Sequence, residues 1–372
     1  MSVTLIKRNA LDTVSAIGLL VFAASIYLAL CGAVLFVVYN AFALMFIEHA
    51  ILLPIILILV AAPLALNLVT VLFPPNIRGL PLTRETAPEL IDLIEKTAAA
   101  VGTDMPARIM LTPDGSIHVQ GMRTRTLTIG MASLRHLTTE QFKAILAHEF
   151  AHFSHDDTSI SAIVGQIGNV MERQRKDIGK HGLSGPVLLV LLNFITYIIL
   201  SVTIYIYLAV YSVFSRRREY LADAIAARTT SPETFSGALV TFATYTSLFE
   251  SVMPRIVVDE LVKGKILVNV YETNNSFWSD GQRAQTVEGV RADLLKAEAE
   301  DFSTHPSISD RIARVGGRHD GAVHGGLAVN LLKNRDEREK EMSQFLTFEL
   351  GIKTGLIKVS PEGKVEFLKP AA

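Results

Sequence analysis

Two histidines four residues apart, with a glutamate beside the first, stand in the segment AILAHEFAHFSHDD, Ala144–Asp157. Upstream, Thr138 and Gln141 have the spacing of a capping box, so a helix is expected to open there and run through Phe153. At about 3.6 residues per turn, His148 and His152 leave such a helix on one face, where their imidazoles can hold a single metal ion. Glu149 can take a proton from an attacking water and pass it to a leaving amine, which is the zinc-peptidase use of H-E-x-x-H. The same pattern also arises in helices that merely carry two surface histidines and a solvated glutamate. The flanks favour burial. Phe142, Ala144, Ile145, Ala147, Phe150 and Ala151 make the helix largely apolar, and buried polar groups need partners.

A third ligand is expected to be a carboxylate or histidine on another helix that passes close by. In SRRREYLADAIAA, Ser215–Ala227, Glu219 and Asp223 share a helical face, so one can reach the metal while the other orients a ligating histidine. Taken alone, the spacing favours a plain helix flanking a membrane segment, with Arg216, Arg217 and Arg218 snorkelling at the interface. A structural zinc site closes four protein ligands around the ion, whereas three ligands leave the fourth position to water.

The elements that must position these residues begin after Pro74-Pro75. Thr86–Val101 has helical periodicity, with Leu90, Ile91, Leu93 and Ile94 apolar and Pro88 in the first turn. Arg108–Leu111, Ser116–Gln120 and Thr126–Ile129 read as short strands, separated by Pro113-Asp114-Gly115 and a basic turn at Gly121–Arg125. Further on, Ser231–Met253, Val258–Val270 and Val287–Glu300 read as helices, and Asn274–Arg283 reads as a loop around Trp278. After Gly316 the chain turns polar and glycine-rich, which reads as a linker, with His319 and His324 solvated. Leu356–Leu368 reads as a hairpin turning at Pro361-Glu362-Gly363. No internal repeat is present.

Half of the 372 residues are apolar and the net charge is −1, so a nucleic-acid-binding basic face and a disordered acidic tail are both excluded. Val14–Tyr39 and Ile51–Phe73 run without a charge, and each is long enough to cross a hydrocarbon core as a helix of about 20 residues. Lys7 and Arg8 before the first run and Ala41-Phe42-Ala43 after it also fit a signal peptide, but the apolar run is too long for that and a second span follows. Lys7, Arg8, Arg78 and Arg84 flank the pair on one side and no Lys or Arg lies in the link. The positive-inside rule therefore places the N-terminus and the chain after Phe73 in the cytoplasm. The lone cysteine, Cys31, can form no intrachain disulfide, which fits a reducing compartment.

A third apolar run, Pro186–Phe214, lies between the two ligand motifs. If His148 and Glu219 bind one ion they lie on one side of the membrane, so the intervening chain must cross an even number of times. The run is too short for two helical spans of about 20 residues. It is therefore expected to dip into the cytoplasmic leaflet, to lie on it, or to form a short re-entrant hairpin around Asn193. Arg173, Arg175, Lys176 and Lys180 are expected in a cytoplasmic loop before it, and Tyr197, Tyr205, Tyr207 and Tyr211 suit an interfacial position.

HEFAH, followed by SRRREYLAD and then THPSISDRI, resembles the HtpX-like heat-shock membrane zinc peptidases, whose relatives include the CAAX prenyl peptidases. The resemblance covers Leu80 to Val315. It implies His148, His152 and Glu219 as ligands of one Zn2+, Glu149 as general base, and Asp223 as the partner of a ligating histidine. It also implies His305 and Arg311 near the reacting centre, where they can stabilise an oxyanion; otherwise His305 is a helix-cap neighbour of Pro306. Many relatives carry an Asn-Ala pair on the edge strand before the zinc helix, where this chain has GSIHVQ, Gly115–Gln120. Ser116, Ile117, His118 and Val119 are nonetheless expected on an edge to which a substrate adds a strand.

The expected fold is mostly α with a small β-sheet. A transmembrane helical hairpin occupies 1–73, a zincin-type metallopeptidase domain 74–316 with an additional membrane-associated helix at 186–214, and a linker with a C-terminal extension 317–372. The expected function is a membrane-anchored zinc endopeptidase that cuts damaged or unassembled membrane proteins, a quality-control and stress role that comes from the resemblance. Its expected partners are protein or peptide substrates and the lipid bilayer, with no nucleic acid, and its expected place is a bacterial inner membrane with the catalytic domain facing the cytoplasm. Two alternatives stand beside it: a prenyl-protein endopeptidase of the CAAX type, and a non-catalytic membrane adaptor with a structural zinc site.

Overall fold

The computed structural model describes residues 10–69, 78–121, 124–154, 158–182, 187–299, 305–319, 325–359 and 365–368. Lys7, Arg8, Phe73, Pro74-Pro75, Pro186, His324 and the Pro361-Glu362-Gly363 turn lie outside them.

Two apolar helices, α1 (Ala10–Phe46) and α2 (Leu52–Val69), carry Asp12 as their only charge. They fold back on each other, with Val34, Ala61 and Leu68 packed together and the Tyr27 hydroxyl donating to the Leu68 carbonyl at 3.2 Å. Leu28, Leu35, Phe36 and Tyr39 of α1 are about two-thirds exposed, a surface that suits lipid rather than water. Two helices are long and apolar enough among the described residues to cross a membrane: Ile17–Phe46 of α1 and the later helix Val187–Thr229. The apolar part of α2, Leu52–Pro63, is shorter.

The domain that follows is built on a four-stranded sheet: β1 (Leu80–Pro81), β2 (Arg108–Thr112), β3 (Ile117–Gln120) and β4 (Thr126–Gly130), in the order β1-β2-β4-β3. β2 and β4 are parallel, and β3 lies antiparallel on the edge with Ile117 opposite Ile129 and Val119 opposite Leu127. Helix α3 (Pro88–Val101) begins on Pro88 and stops at Gly102, whose φ of 81° suits a residue without a Cβ. It buries Leu90, Ile91, Ile94, Ala98 and Val101. After a short α4 (Met131–Leu134) comes α5 (Thr139–Ser154), opened by the expected capping box. The Gln141 amide donates to the Thr138 hydroxyl at 3.2 Å, and the Thr138 amide donates to Gln141 Oε1 at 3.0 Å. The apolar residues that made this helix read as buried, Phe142 to Ala151, do lie in the main core.

Between the ligand motifs the chain forms α6 (Thr158–Asp177), a π-helical turn (Ile178–Gly182) and α7 (Val187–Thr229). Here two expectations are corrected. The apolar run does not turn back at Asn193 but continues unbroken into the Glu219 segment as one helix. Arg173, Arg175 and Lys176 lie in a helix rather than a loop, and Lys180 lies in the π-helical turn. α6 packs antiparallel to α7, with Gly165 facing Tyr211, Gly168 facing Tyr207 and Gly179 facing Tyr197. A Cβ on Gly168 would lie 3.0 Å from the Tyr207 ring, so glycine sets how closely the pair approaches. The Tyr207 hydroxyl, buried against the Val164 carbonyl, donates to it. α6 was missed because its polar residues hide it from any hydropathy criterion.

α8 (Pro232–Val262) is capped by Ser231, whose hydroxyl accepts from the Thr234 amide. It passes through Pro254 where two helices were expected, because burial of Phe249, Met253, Val257 and Leu261 outweighs the cost of proline, about 3 kcal/mol. The expected loop at Asn274–Arg283 is helical in α9 (Val270–Ser279) and α10 (Gly281–Lys296). Asn269 caps α9 by accepting from the amides of Tyr271 and Glu272, a signal overlooked among the polar residues. α11 (Ile308–Val315) follows.

Beyond residue 316 a 3-10 turn (Ala328–Leu331), α12 (Arg335–Lys353) and the expected hairpin β5 (Ile357–Val359) and β6 (Val365–Phe367) complete the chain. Ala328, Val329, Met342, Leu346 and Ile357 join the same core as the zinc-motif helix. The Thr139 amide donates to the Gly326 carbonyl and the Ala328 amide to the Leu137 carbonyl, each at 2.9 Å, so the tail braces the start of α5. Glu339 of α12 is buried and holds Arg135 at 2.6 Å and Arg335 at 2.9 Å, with Asn269 donating at 2.7 Å.

Candidate zinc centre

α5 and α7 cross with their polar residues facing each other inside an otherwise apolar contact. From α5 come His148 and His152, whose Nε2 atoms lie 3.2 Å apart. From α7 comes Glu219, with Oε1 3.3 Å from His152 Nε2 and Oε2 3.6 Å from His148 Nε2. One ligand atom from each of the three lies within 4.8 Å of the others.

The donor chemistry fits a divalent cation. His148 Nδ1 is 2.9 Å from Asp223 and donates to it, which fixes the tautomer and leaves Nε2 with a lone pair aimed at the cluster. Two imidazole nitrogens and a carboxylate converging at this spacing are the ligand set of an open zinc site. Phe235 of α8 stacks 6.1 Å from His148 and closes its apolar side; spacing along the sequence offered no signal for it.

The surroundings are polarised. Burial alone would raise Glu219, but bonds from His152 and His305 hold it well below the usual carboxylate range. Asp223 is likewise held low, against the cost of burial, by His148 and by Arg311. Burial pushes His152 down to about 4 and pushes the Glu149 carboxyl up to about 7.

α11 delivers the remaining residues. The Ser307 hydroxyl caps it, and one turn later the Arg311 guanidinium grips Asp223 with Nε at 2.9 Å and Nη2 at 2.7 Å. Arg311 Nη2 also lies 3.4 Å from His148 Nδ1. The same Nη2 comes within 3.6 Å of Glu219 Oε2, so Arg311 touches both the Asp223 side of the histidine and the ligand carboxylate. His305 is 65% exposed at the mouth of the site, with Nδ1 3.0 Å from Glu219. Its bond to Glu219 raises its affinity for a proton.

β3 runs beside Glu149. Because Gly130 donates to the Ser116 carbonyl, the ladder alternates so that Ile117 and Val119 turn their backbone groups to the open edge. The Glu149 carboxyl accepts from the Val119 amide. Ser116 precedes the strand and its hydroxyl is held by Asp114 at 2.8 Å, whereas His118 is half-buried. Ile117 is a core residue.

A sequence profile for Peptidase family M48 matches residues 85–319. The Protease HtpX homolog of Persephonella marina is 31% identical over 160 residues, 38% of this chain and 52% of its own length. That of Syntrophobacter fumaroxidans is 24% identical over 224 residues, 53% of this chain and 75% of its own. That of Helicobacter pylori strain Shi470 is 25% identical over 236 residues, 60% of this chain and 63% of its own. The chain therefore spans about half the length of the first of these relatives. No solved structure matches. The ligand cluster, the edge strand and the Arg311 helix all fall within the matched residues, and this chain is an HtpX-like member of Peptidase family M48.

Proposed function

We propose that this protein is a membrane-anchored zinc endopeptidase that hydrolyses peptide bonds of damaged or unassembled membrane proteins on the cytoplasmic side of a bacterial inner membrane. The observation that carries the reading is the convergence of His148, His152 and Glu219 beside a buried Glu149 at an open strand edge. One zinc ion held by the three ligands supplies Lewis acidity to water and to a peptide carbonyl.

The chain's own residues do the rest. A substrate segment adds to the open edge of β3, bonding to the backbone of Ile117 and to the Val119 carbonyl, which selects extended chain with little regard to sequence. Glu149 accepts the proton of the attacking water and delivers it to the leaving nitrogen; its raised pKa suits a group that must do both near neutral pH. His305, exposed at the mouth, donates to the developing oxyanion. Arg311 supports it from behind, by fixing Asp223 and through it the His148 ring. In this division of the chain, 1–73 anchors, 74–316 cuts, and 317–372 braces the zinc helix.

The test is zinc content together with degradation of an unfolded membrane protein, wild type against Glu149→Gln. Zinc binding and degradation by the wild type, with binding alone in the variant, is the expected result. Degradation by the variant overturns the reading.

A further inference from the structure

α6 is amphipathic at a depth where water is absent. Val164, Ile167, Val170, Met171 and Gln174 form its buried face. The opposite face carries Asn169, Arg173 and Lys176, spaced i, i+4 and i+7 and all exposed, with Asp177 at its far end. Lys176 lies 3.4 Å from Glu172. Asn169 and Arg173 make no side-chain hydrogen bond or ion pair among the described residues.

Depth follows from the packing register. Gly168 faces Tyr207 and Gly179 faces Tyr197, so Arg173 and Lys176 stand level with Leu200 to Thr203 of α7. The apolar stretch of α7, Val187 to Phe214, exceeds the about 20 residues a hydrocarbon core requires, and Leu200 to Thr203 fall inside the core wherever it is placed on that stretch. At the same level Ile199, Val202 and Ile206 are exposed and suited to lipid. Hydrocarbon offers nothing to a carboxamide or a guanidinium.

We propose that the Asn169, Arg173 and Lys176 face docks a membrane-spanning helix of the substrate that carries a carboxylate or carboxamide within its apolar stretch. The proposal rests on the peptidase reading above and names the substrate class of that site. The face is net basic, and a guanidinium fork pairs best with a carboxylate. Polar groups inside a membrane helix are covered by partner subunits in an assembled complex and bare in an orphan. α6 begins at Thr158, directly after the zinc helix ends at Ser154, so a docked helix is held beside the cleft.

The test uses the full chain in lipid nanodiscs with two synthetic single-span helices, identical except for a central Glu in one and Leu in the other. With Glu149→Gln and a photo-crosslinking side chain at position 169 or 173, the Glu helix is expected to crosslink and the Leu helix is not. With the active chain, kcat/KM is expected to favour the Glu helix about tenfold, the size of one interhelical polar contact. Asn169→Leu with Arg173→Leu is expected to bring that ratio close to unity. Equal crosslinking of the two helices, crosslinks to lipid phosphate headgroups alone, or a ratio unmoved by the substitutions overturns the proposal. Selective crosslinking by a wild type that releases no product from either helix or from an unfolded soluble protein sustains the docking face and refutes the peptidase reading.

Discussion

Glu149 and Asp223 are both buried carboxylates, and their neighbours give them different work. At Glu149 burial outweighs the pull of His148, His305 and the Val119 amide, so the carboxyl is raised and the group is poised to exchange protons. Glu149→Gln should retain zinc, since neither imidazole is touched, and lose about 10²- to 10⁴-fold in peptide hydrolysis. Zinc analysis and a degradation assay on the same purified sample check this. Asp223 is pinned between His148 and Arg311. Glu219→Ala should lower zinc affinity sharply, and Asp223→Ala by about 10- to 100-fold, as for partners that orient a ligand. Chelator competition measures both, and the reverse order would mean that the two carboxylates have exchanged roles. Asp223→Ala should also lower the melting temperature, because it strands the buried Arg311 guanidinium.

At the scale of elements, α6 and α12 do what their sequences concealed. α6 pairs antiparallel with α7 through glycines set against tyrosines, an arrangement suited to a hairpin that crosses and returns although only one leg is apolar. A reporter inserted between residues 183 and 186 should therefore lie on the opposite side of the membrane from one at Arg228. The same side for both would place the hairpin on the membrane surface. α12 is tied to the domain through Glu339, whose carboxyl is held low, against the cost of burial, by Asn269, Arg135 and Arg335. Glu339→Ala should cost about 3 kcal/mol, the low end for breaking a buried pair, since Arg335 is partly solvated. Because the folded-state pKa is depressed, this stabilisation is complete above the unfolded value, about pH 4.3, and is lost as pH falls through the folded one. Thermal melts of wild type and variant should therefore converge in acid.

Across the whole molecule, Glu219 of the ligand cluster and the apolar stretch suited to a membrane lie on one helix. Glu219 lies five residues past Phe214 on a single helix, about 7.5 Å along its axis, so the position of α7 in the bilayer sets the distance from the cleft to the membrane surface. Ile199 and Ile206 are about half exposed on that helix. Ile199→Lys with Ile206→Lys should cost about 2.5 to 3.5 kcal/mol each at membrane depth and displace the helix. The double variant should keep zinc and still cleave a soluble unfolded protein while losing activity on a membrane-embedded one. Equal loss on both substrates would show that α7 serves the domain core alone.

His148, Glu149 and His152 were legible in the sequence because a helix fixes the geometry of residues four apart, and the capping box and apolar flanks fixed the helix. Strands β2, β3 and β4 and the apolar helices α1 and α2 were legible from short-range patterns of the same kind, whereas the strand order and the pairing of Ile117 with Ile129 were not. Glu219 and Asp223 could be placed on one face by spacing, but which of them meets the metal depends on how α5 and α7 cross, and crossing is decided by packing across the 70 residues between His148 and Glu219. The same holds for Arg311, which grips Asp223 and comes within 3.6 Å of Glu219. α6 was invisible to hydropathy because its polar face is paired or exposed within the bundle, and α12 because its one buried charge is satisfied by residues far away in sequence. Local periodicity therefore determined the chemistry on each helix, while long-range contacts, which no local pattern encodes, decided which side chains meet.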